Sequence, residues 1–360
     1  MKSIYNLTII SFFAPLLTYA NNIKERHEKN KTIKKEFKVN KNSGLEVYNK
    51  YGNIKLTSWN KNIIEIEVTI TVKGNDLDEV ENKIDDIDVE FESNSDLVSA
   101  RTLFLKENSS WSFWKKNSKI SYQINYLIKL PETNSINIDN NYGNISLDYL
   151  SGDAKINCDY GSISISELTS TNNSINLDYC SNSNIGFIKN GKLNFDYSKI
   201  TIEESENLKI NSDYSTVNIE KTGSVDFNID YGAIKLDEAV NVNVNSDYTN
   251  MKFGEIKKNL IIDSDYGGIS IKKMVEGFEL LDINSQYTGI RIGLDAETSF
   301  EFEIDLQYAS FKGENDNMEI FTKISKPTKK YYKGKFGKGN STSSVKIKSQ
   351  YGGITFKIND

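Results

Sequence analysis

The central part of the chain alternates apolar and polar residues in short runs, and each run ends at a tyrosine. The segment "NSDYSTVNIE" at 211–220 has near copies in "NIDYGAIKLD" at 228 and "DSDYGGISIK" at 263. In most copies the third and fifth residues after the tyrosine are apolar, as in Val217 and Ile219. The fourth residue before the tyrosine is apolar in every copy: Ile138, Ile156, Ile175, Leu193, Ile210, Phe227, Val244, Ile262, Ile283, Ile304 and Ile347. Alternation with a period of two residues predicts two short strands joined by a tight turn.

The spacing of these tyrosines is typical of a stacked repeat. The central copies recur every 17 to 21 residues, at Tyr142, Tyr160, Tyr179, Tyr197, Tyr214, Tyr231, Tyr248, Tyr266, Tyr287 and Tyr308, with outlying copies at Tyr51 and Tyr351. Self-similarity at a fixed period indicates a solenoid, and this period is too short for a propeller blade of about 40 residues. We therefore predict an all-β fold, a parallel β-solenoid of about ten coils over residues 131–312. Strand alternation predicts that the tyrosines point inward, and outward tyrosines would instead form an aromatic strip able to bind sugar rings.

The pattern changes before the repeat array. Residues 33–130 combine strand-like runs with one helical stretch, and we predict a β-rich N-terminal capping module. The helix is predicted from apolar residues that share one helical face: Leu77, Val80, Ile84 and Ile87. Solenoids need such caps because a bare terminal coil exposes unpaired strand edges. We interpret the aromatic cluster of Trp111, Phe113 and Trp114 as a packing plug or loop, with a ligand site as the alternative.

The chain after the array, residues 313–360, is predicted to be a lysine-rich insert followed by a closing coil. It carries seven lysines and no acid between 323 and 338. This composition favours a lysine-guarded hairpin over the last strand edge. The alternative is a positively charged segment that binds anionic polysaccharide or lipid head groups. Pro131 and Pro327 flank the array, where a residue without an N–H disturbs strand pairing least.

The first residues predict export. Residues 1–20 contain Lys2, an apolar run and a small residue, Ala20, which is the pattern of a cleavable signal peptide, and residues 21–32 form a charged leader. No segment approaches the ~20 apolar residues of a membrane-spanning helix. We therefore expect an extracytoplasmic protein without a transmembrane span, located in the periplasm, on the outer surface or in the medium.

The net charge, the two cysteines and the single histidine exclude several classes of binding and catalytic site. Removing residues 1–20 takes away Lys2, one of 44 basic residues, and leaves 43 against 50 acidic residues. That balance argues against a general nucleic-acid binder. Cys158 and Cys180 lie on adjacent coils three positions out of step, roughly 10 Å apart at ~3.3 Å per residue, and we predict two unpaired thiols. His27 is the only histidine, so most serine–histidine, cysteine–histidine and zinc sites are ruled out.

The strongest candidate for chemistry is a row of aspartates, one before each tyrosine: Asp159, Asp178, Asp196, Asp213, Asp230, Asp247 and Asp265. A row of asparagines runs beside it: Asn157, Asn176, Asn194, Asn211, Asn228 and Asn245. We predict that each Asp caps its own turn and that the Asn amides bond from coil to coil. Calcium between coils is one alternative, although the glycine-rich calcium repeat is absent. Paired acids that cleave polysaccharide are another, although a regular row singles out no pair of carboxylates.

Three stretches carry a family resemblance. "NKYGNIKLTSW", the run from "NYGNISL" to "DYGSISI", and the closing "GKFGKGNSTSSVKIKSQYGGITFKI" resemble the bacterial putative-adhesin family of secreted domain-of-unknown-function proteins. The likeness covers about residues 33 to 360. It implies a β-solenoid in the cell envelope with no known catalysis. The chain departs from the family pattern where Ser, Thr, Cys or Ala replaces the turn glycine, and in the irregular coil "DYCSNSNIGF" at 179.

These observations predict a non-enzymatic, adhesin-like binding or scaffold protein of the bacterial cell envelope. The alternative is a polysaccharide-binding or polysaccharide-degrading β-helix protein. We assign no catalytic, cofactor-binding or metal-ligating residue and expect no cofactor. The expected partner is an envelope protein or a polysaccharide, and no nucleic acid.

Overall fold

A computed structural model of the protein describes residues 26–106, 120–339 and 341–359. Most of these residues belong to strands that join one 24-stranded sheet. The predicted signal peptide and the cluster of Trp111, Phe113 and Trp114 lie outside the described residues.

The N-terminal part contains seven strands and a helix. They are β1 His27–Lys38, β2 Gly44–Lys50, β3 Ile54–Trp59, β4 Ile63–Gly74, α1 Leu77–Asp86, β5 Ile87–Ser93, β6 Leu97–Phe104 and β7 Ser121–Pro131. β1 begins at His27, inside the segment predicted as a charged leader, and pairs with β4 along its whole length.

The central array follows in twelve strands. They are β8 Ser135–Asn141, β9 Ile145–Leu150, β10 Ala154–Asp159, β11 Ile163–Leu168, β12 Asn173–Asp178, β13 Ser183–Asp196, β14 Lys199–Asp213, β15 Thr216–Asp230, β16 Ala233–Asp247, β17 Asn250–Met274, β18 Leu280–Leu294 and β19 Phe300–Gln307. The C-terminal part consists of β20 Phe311–Lys312, β21 Met318–Ser325, β22 Lys329–Phe336, β23 Ser344–Gln350 and β24 Ile354–Ile358.

Successive coils stack in parallel with equivalent residues side by side. β14 pairs with β15 so that Ile210 lies beside Phe227, and β15 pairs with β16 so that Phe227 lies beside Val244. The same register aligns the aspartates before each tyrosine. The parallel β-solenoid predicted from the period is confirmed.

The core is built from apolar ladders that run along the solenoid. Ile156, Ile175, Leu193 and Ile210 are all buried and follow one another on neighbouring coils. A further buried position lies between the two predicted strands of a coil. At this position the Ser205 hydroxyl donates a hydrogen bond to the Thr222 hydroxyl of the next coil at 2.8 Å. Removing one large side chain from such a core costs about 2–5 kcal/mol. Burial of these ladders therefore holds the coils together.

The N-terminal module covers the first coil. β2 and β3 pair in parallel with β8 and β9, and on their other side with β6 and β7. Antiparallel β4 and β1 then extend the sheet from β7, and β5 extends it from β6. The helix α1 begins with Asp76, which accepts a hydrogen bond from the Glu79 N–H at 3.1 Å, and it buries Val80 and Ile84.

The C-terminal coil does not close the array. β23 pairs in parallel with β18 on one side and with β19 on the other, so the coil of Tyr351 lies between those of Tyr287 and Tyr308. The lysine-rich segment forms the β21–β22 hairpin, and β22 pairs antiparallel along the outer edge of β19. The expectation of a closing coil was wrong, because coils with the same pattern can stack in an order that differs from the chain order.

The prediction that the tyrosines point inward was wrong. Tyr214, for example, is 52% exposed, whereas Ser215 after it is buried. Tyr214 has a φ of 51°, in the left-handed region, and the same sign holds for all twelve repeat tyrosines. A residue in that region interrupts the extended backbone, so the strict alternation that would have placed the ring inside does not pass through it.

Candidate functional site

The repeat tyrosines form one continuous stack on the surface, which we call the tyrosine strip. Neighbouring ring centroids lie 4.7 to 5.2 Å apart and the rings are within 13° of parallel. In spatial order the strip contains Tyr51, Tyr142, Tyr160, Tyr179, Tyr197, Tyr214, Tyr231, Tyr248, Tyr266, Tyr287, Tyr351 and Tyr308. Eleven steps at ~4.8 Å give a strip about 53 Å long.

The backbone at each tyrosine is locked by the neighbouring coil. The N–H of Tyr214 donates to the carbonyl of Asp230 at 3.0 Å, and that of Tyr231 donates to Asp247 at 3.0 Å. A bulky residue with positive φ is a genuine outlier. Its repetition at every corner shows that stacking and cross-coil hydrogen bonds together hold this conformation.

The residue after each tyrosine completes the corner from inside. The Ser215 hydroxyl donates to the carbonyls of Asp213 at 2.8 Å and Phe195 at 3.1 Å, and it accepts from the Ser198 N–H at 2.9 Å. Thr249 makes the same pair of donations in its own corner. Ser and Thr therefore replace the turn glycine because a hydroxyl here satisfies buried backbone groups.

Corners that keep glycine are satisfied differently. The Asn140 amide donates to the Gly52 carbonyl at 3.0 Å, and the Ser349 hydroxyl donates to the Gly352 carbonyl at 3.0 Å. A Cβ on Gly143 would lie 1.8 Å from the Gly52 carbonyl oxygen, so no other residue fits there without backbone movement. In these two corners the polar donor is the residue two before a strip tyrosine, whereas at the Gly232 corner that position holds the apolar Ile229.

The two cysteines belong to these corners and are both free and buried. The Cys180 thiol lies 3.0 Å from the Cys158 carbonyl oxygen, in the place that the Ser215 hydroxyl takes in its own coil. The expected separation of roughly 10 Å was wrong, because the left-handed tyrosine turns Cys180 back toward Cys158. Hydrogen bonding to the Cys180 side chain, together with burial, raises the pKa of Cys158 and keeps that thiol protonated.

The asparagine ladder is confirmed. Amide groups bond from coil to coil, from Asn176 to Asn157 at 2.6 Å, from Asn211 to Asn194 at 3.0 Å and onward to Asn284, which donates to Asp263 at 3.2 Å. A second ladder on another edge joins Asn207 to Asn190 at 3.0 Å. These amides link the coils along the outer surface.

The aspartate row lies beside the tyrosine strip. Desolvation, followed by the charge of neighbouring aspartates, raises the pKa of four members: Asp159, Asp178, Asp213 and Asp265. Asp230 accepts a hydrogen bond from the Asp247 N–H of the next coil at 3.0 Å. The Asp230 carboxylate therefore bonds to the adjacent coil, and the prediction that each Asp caps its own turn was wrong for this residue. Within the described ranges no group of three or more His, Cys, Asp or Glu residues could hold a metal ion.

The tyrosine strip exposes ring edges and hydroxyl groups, and the faces of its inner rings are covered by neighbouring rings. Parallel rings about 4.9 Å apart leave no room for a sugar between them. At one end Phe104 and Tyr122 approach Tyr51 edge-on. At the other end Tyr308 stacks on Tyr351 and is 58% exposed, the most of any strip ring. Desolvation and adjacent rings raise the pKa of Tyr160, Tyr197 and Tyr231, so their hydroxyls remain hydrogen-bond donors at neutral pH.

Sequence reasoning placed every strip tyrosine, but it favoured inward rings and named an outward strip only as the alternative. The available signal was the small residue that follows each tyrosine, such as Gly161, Ser215 or Thr249, since a buried corner has room only for a small side chain. In the part of the chain that the structure covers, no helix has the length and apolar character needed to cross a membrane.

The fold and strip define a repeat scaffold, and comparisons with solved structures give the following likenesses. A putative adhesin from Bacteroides fragilis shares 14% identity over 64% of this chain and 97% of its own, with a TM-score of 0.32. A putative adhesin from Parabacteroides distasonis shares 9% identity over 91% of this chain and 97% of its own, with a TM-score of 0.34. A putative cell adhesion protein from Clostridium sporogenes shares 12% identity over 92% of this chain and 100% of its own, with a TM-score of 0.17.

These neighbours are the kind of protein that the sequence resemblance points to. No protein-family model matches the chain, and no curated protein matches it.

Proposed function

We propose that the protein is a non-enzymatic, adhesin-like binding scaffold of the bacterial cell envelope that works outside the cytoplasm. The observation that carries this proposal is the tyrosine strip, an unbroken line of exposed aromatic side chains. Large contiguous apolar patches are uncommon on soluble monomers and mark interaction sites.

The repeat geometry suits an extended partner. Each coil offers the same ring edge and hydroxyl at a spacing of about 4.9 Å, so a polymer lying along the rod would meet many equivalent weak contacts. Linked weak contacts raise overall affinity without a single strong site. Ring edges and hydroxyl donors suit hydroxyl and carbonyl oxygens, which both polysaccharides and protein strands offer.

Absence of catalysis is part of the proposal. The aspartates repeat at the same corner position on consecutive coils, and this arrangement singles out no pair of carboxylates, whereas glycoside cleavage needs one acid and one base or nucleophile in different environments. The regular placement of the row supports binding without turnover.

The test combines binding and turnover measurements on the full chain. A strip variant with Tyr179, Tyr214 and Tyr248 changed to Asn removes three rings while keeping a residue type that tolerates positive φ. The control changes three exposed apolar residues away from the strip, Leu127, Ile261 and Phe321, to Asn. We expect the strip variant, and not the control, to bind fixed bacterial cells and a glycan array about tenfold more weakly or worse.

Mass spectrometry of polysaccharides incubated with the protein completes the test. Cleavage products would overturn the non-enzymatic role and support the polysaccharide-degrading alternative. Equal binding by the strip variant and the wild type would overturn the role of the strip.

A further inference from the structure

A groove of about 480 Å³ runs across the last coils beside the tyrosine strip, and we call it the basic groove. It is lined by the second residue after each strip tyrosine, which we call the floor, and by the fourth, which we call the wall. The wall carries Lys252, Arg291 and Lys312, and no carboxylate is among the lining residues. We propose that the basic groove binds an acidic polysaccharide with its carboxylate or sulfate groups on these three cations.

The charge of this face changes along the solenoid. In earlier coils the fourth residue after the tyrosine is uncharged, as in Thr201 and Asn218, or ion-paired, as Lys235 is with Asp237 at 2.8 Å. The sixth residue is acidic in these coils, at Glu203, Glu220 and Asp237. In the last coils Lys272 and Lys357 join the three groove cations. All five side chains are exposed, and within the described residues none of them lies within ion-pair distance of a carboxylate. In an acidic chain, such a patch of unpaired cations favours an anionic ligand.

The register gives the cations a defined spacing. Lys252, Arg291 and Lys312 stand on alternate coils, with Ser270 between the first two and Thr355 between the last two. Two coil spacings amount to about 9.6 Å. An extended β-linked polysaccharide repeats as a disaccharide of nearly this length, so one acidic group per disaccharide would meet one cation. Nucleic-acid phosphates are more closely spaced, with one per strand about every 3.4 Å of duplex axis, and most would remain unpaired.

The glycines of the floor support a ligand role. A Cβ on Gly289 would meet nothing within 4 Å, and neither Gly289 nor Gly353 has a positive φ that would demand glycine. The nearest atom to a Cβ on Gly353 would be the Ser310 hydroxyl oxygen at 3.5 Å. Glycine in a strand costs stability and often marks a place where a ligand approaches the backbone closely. Coil packing does not require these glycines, and their effect is to keep the groove open.

The inference rests on the proposed binding function, because it names a ligand class for it. The test measures binding of hyaluronan oligosaccharides, which carry one carboxylate per disaccharide, to the full chain by calorimetry, with neutral dextran as the uncharged comparison. The groove variant combines Lys252→Ala, Arg291→Ala and Lys312→Ala. Its control removes the same charge from another face through Lys155→Ala, Lys192→Ala and Lys209→Ala, all exposed.

We expect the wild type and the control to bind hyaluronan, with affinity falling as salt rises from about 0.1 M to 1 M. We expect the groove variant to bind at least about tenfold more weakly, since it loses three charge-assisted contacts. Gly289→Thr places in the groove the residue type that Thr216 provides at the same position of an earlier coil, and it should weaken binding while leaving the melting temperature equal or higher. Weaker binding by a variant that keeps its melting temperature would show that the groove is blocked and that the fold is intact.

Three results would overturn the proposal. They are no hyaluronan binding by the wild type, the same hyaluronan affinity in the groove variant as in the wild type, or the same loss of affinity in the control as in the groove variant. Equal affinity for single-stranded DNA or for phosphatidylglycerol vesicles would also overturn it, since it would show charge attraction without a glycan site. If the groove variant binds hyaluronan as the wild type does while the strip variant loses cell binding, the groove proposal fails and the proposed function stands. If both variants bind cells as the wild type does, the proposed function fails as well.

Discussion

At the scale of the residue, the molecule depends on a tyrosine in a conformation that tyrosine rarely adopts. A residue held in a sparsely populated backbone region costs about 1–3 kcal/mol. Each inner tyrosine stacks on two neighbours, as Tyr214 does on Tyr197 and Tyr231. Such aromatic pairs contribute about 0.5–1.5 kcal/mol each beyond burial. The two magnitudes are similar, so the conformation is tolerable inside the stack and unfavourable for an isolated coil.

Substitutions at Tyr214 test this balance. Tyr214→Phe keeps both stacking contacts and should change the free energy of unfolding by less than about 0.5 kcal/mol. Tyr214→Ala loses both contacts but keeps the unfavourable φ, and should cost about 2 kcal/mol. Tyr214→Gly loses the contacts and relieves the φ, so its cost should be smaller. Urea unfolding measures all three, and a larger cost for Gly than for Ala would contradict the balance.

Cys180 offers a second test at the residue scale. Ser215 already fills the equivalent position with a donating hydroxyl, so Cys180→Ser should leave the melting temperature unchanged or higher. Ser198→Ala should instead cost about 1–3 kcal/mol, because it leaves the buried Cys180 N–H without its acceptor. Thermal unfolding of both variants checks the pair. A destabilised Cys180→Ser protein beside an unaffected Ser198→Ala protein would contradict the assigned corner roles.

At the scale of the element, the aspartate row couples the solenoid to pH. The pKa of Asp213 is raised by desolvation and by Asp196 and Asp230. An acid with a raised folded pKa binds its proton more readily when folded than when unfolded. Its charge therefore destabilises the fold at neutral pH, and this penalty is relieved as pH falls toward the ordinary value of 3.8.

Asp213→Asn should therefore stabilise the protein at pH 7. The gain over wild type should shrink as pH falls toward the ordinary Asp range, because the wild-type carboxyl is then neutral as well. Melting temperatures of both proteins across this pH range provide the measurement, and their difference cancels the opposite response of ion-paired acids such as Asp295, whose pKa is lowered by Lys273. A difference that grew on acidification would contradict the assigned sign.

The sequence predicted the strands, their parallel stacking and the asparagine ladder, because each follows from residues spaced by a constant period. It failed for the ring of Tyr214, since alternation assumes an extended backbone and a left-handed tyrosine breaks it. Sequence reasoning also failed to predict that the three cations of the basic groove lie close together. Lys252, Arg291 and Lys312 are far apart in the chain, and only the stacking register makes them neighbours.

At the scale of the whole molecule, the inserted coil ties the C-terminal end together. β23 pairs with β18 and β19 at once, and the ring of Tyr351 joins those of Tyr287 and Tyr308. In a solenoid each coil is stabilised mainly by its neighbours. Removing this coil would therefore separate β19 and its hairpin from the array, although both precede it in the chain.

Deleting residues 342–360 tests this arrangement by hydrogen exchange. We expect peptides from β19 and from the β21–β22 hairpin to lose protection, while β14 to β16 exchange as in the wild type, because coupling between coils is local. The control replaces the hairpin, residues 318–336, with a short glycine–serine loop. It removes one edge partner of β19 and leaves β23 in place, so β19 should remain protected. Retained protection of β19 after the C-terminal deletion would show that the coil of Tyr351 does not hold this end of the solenoid.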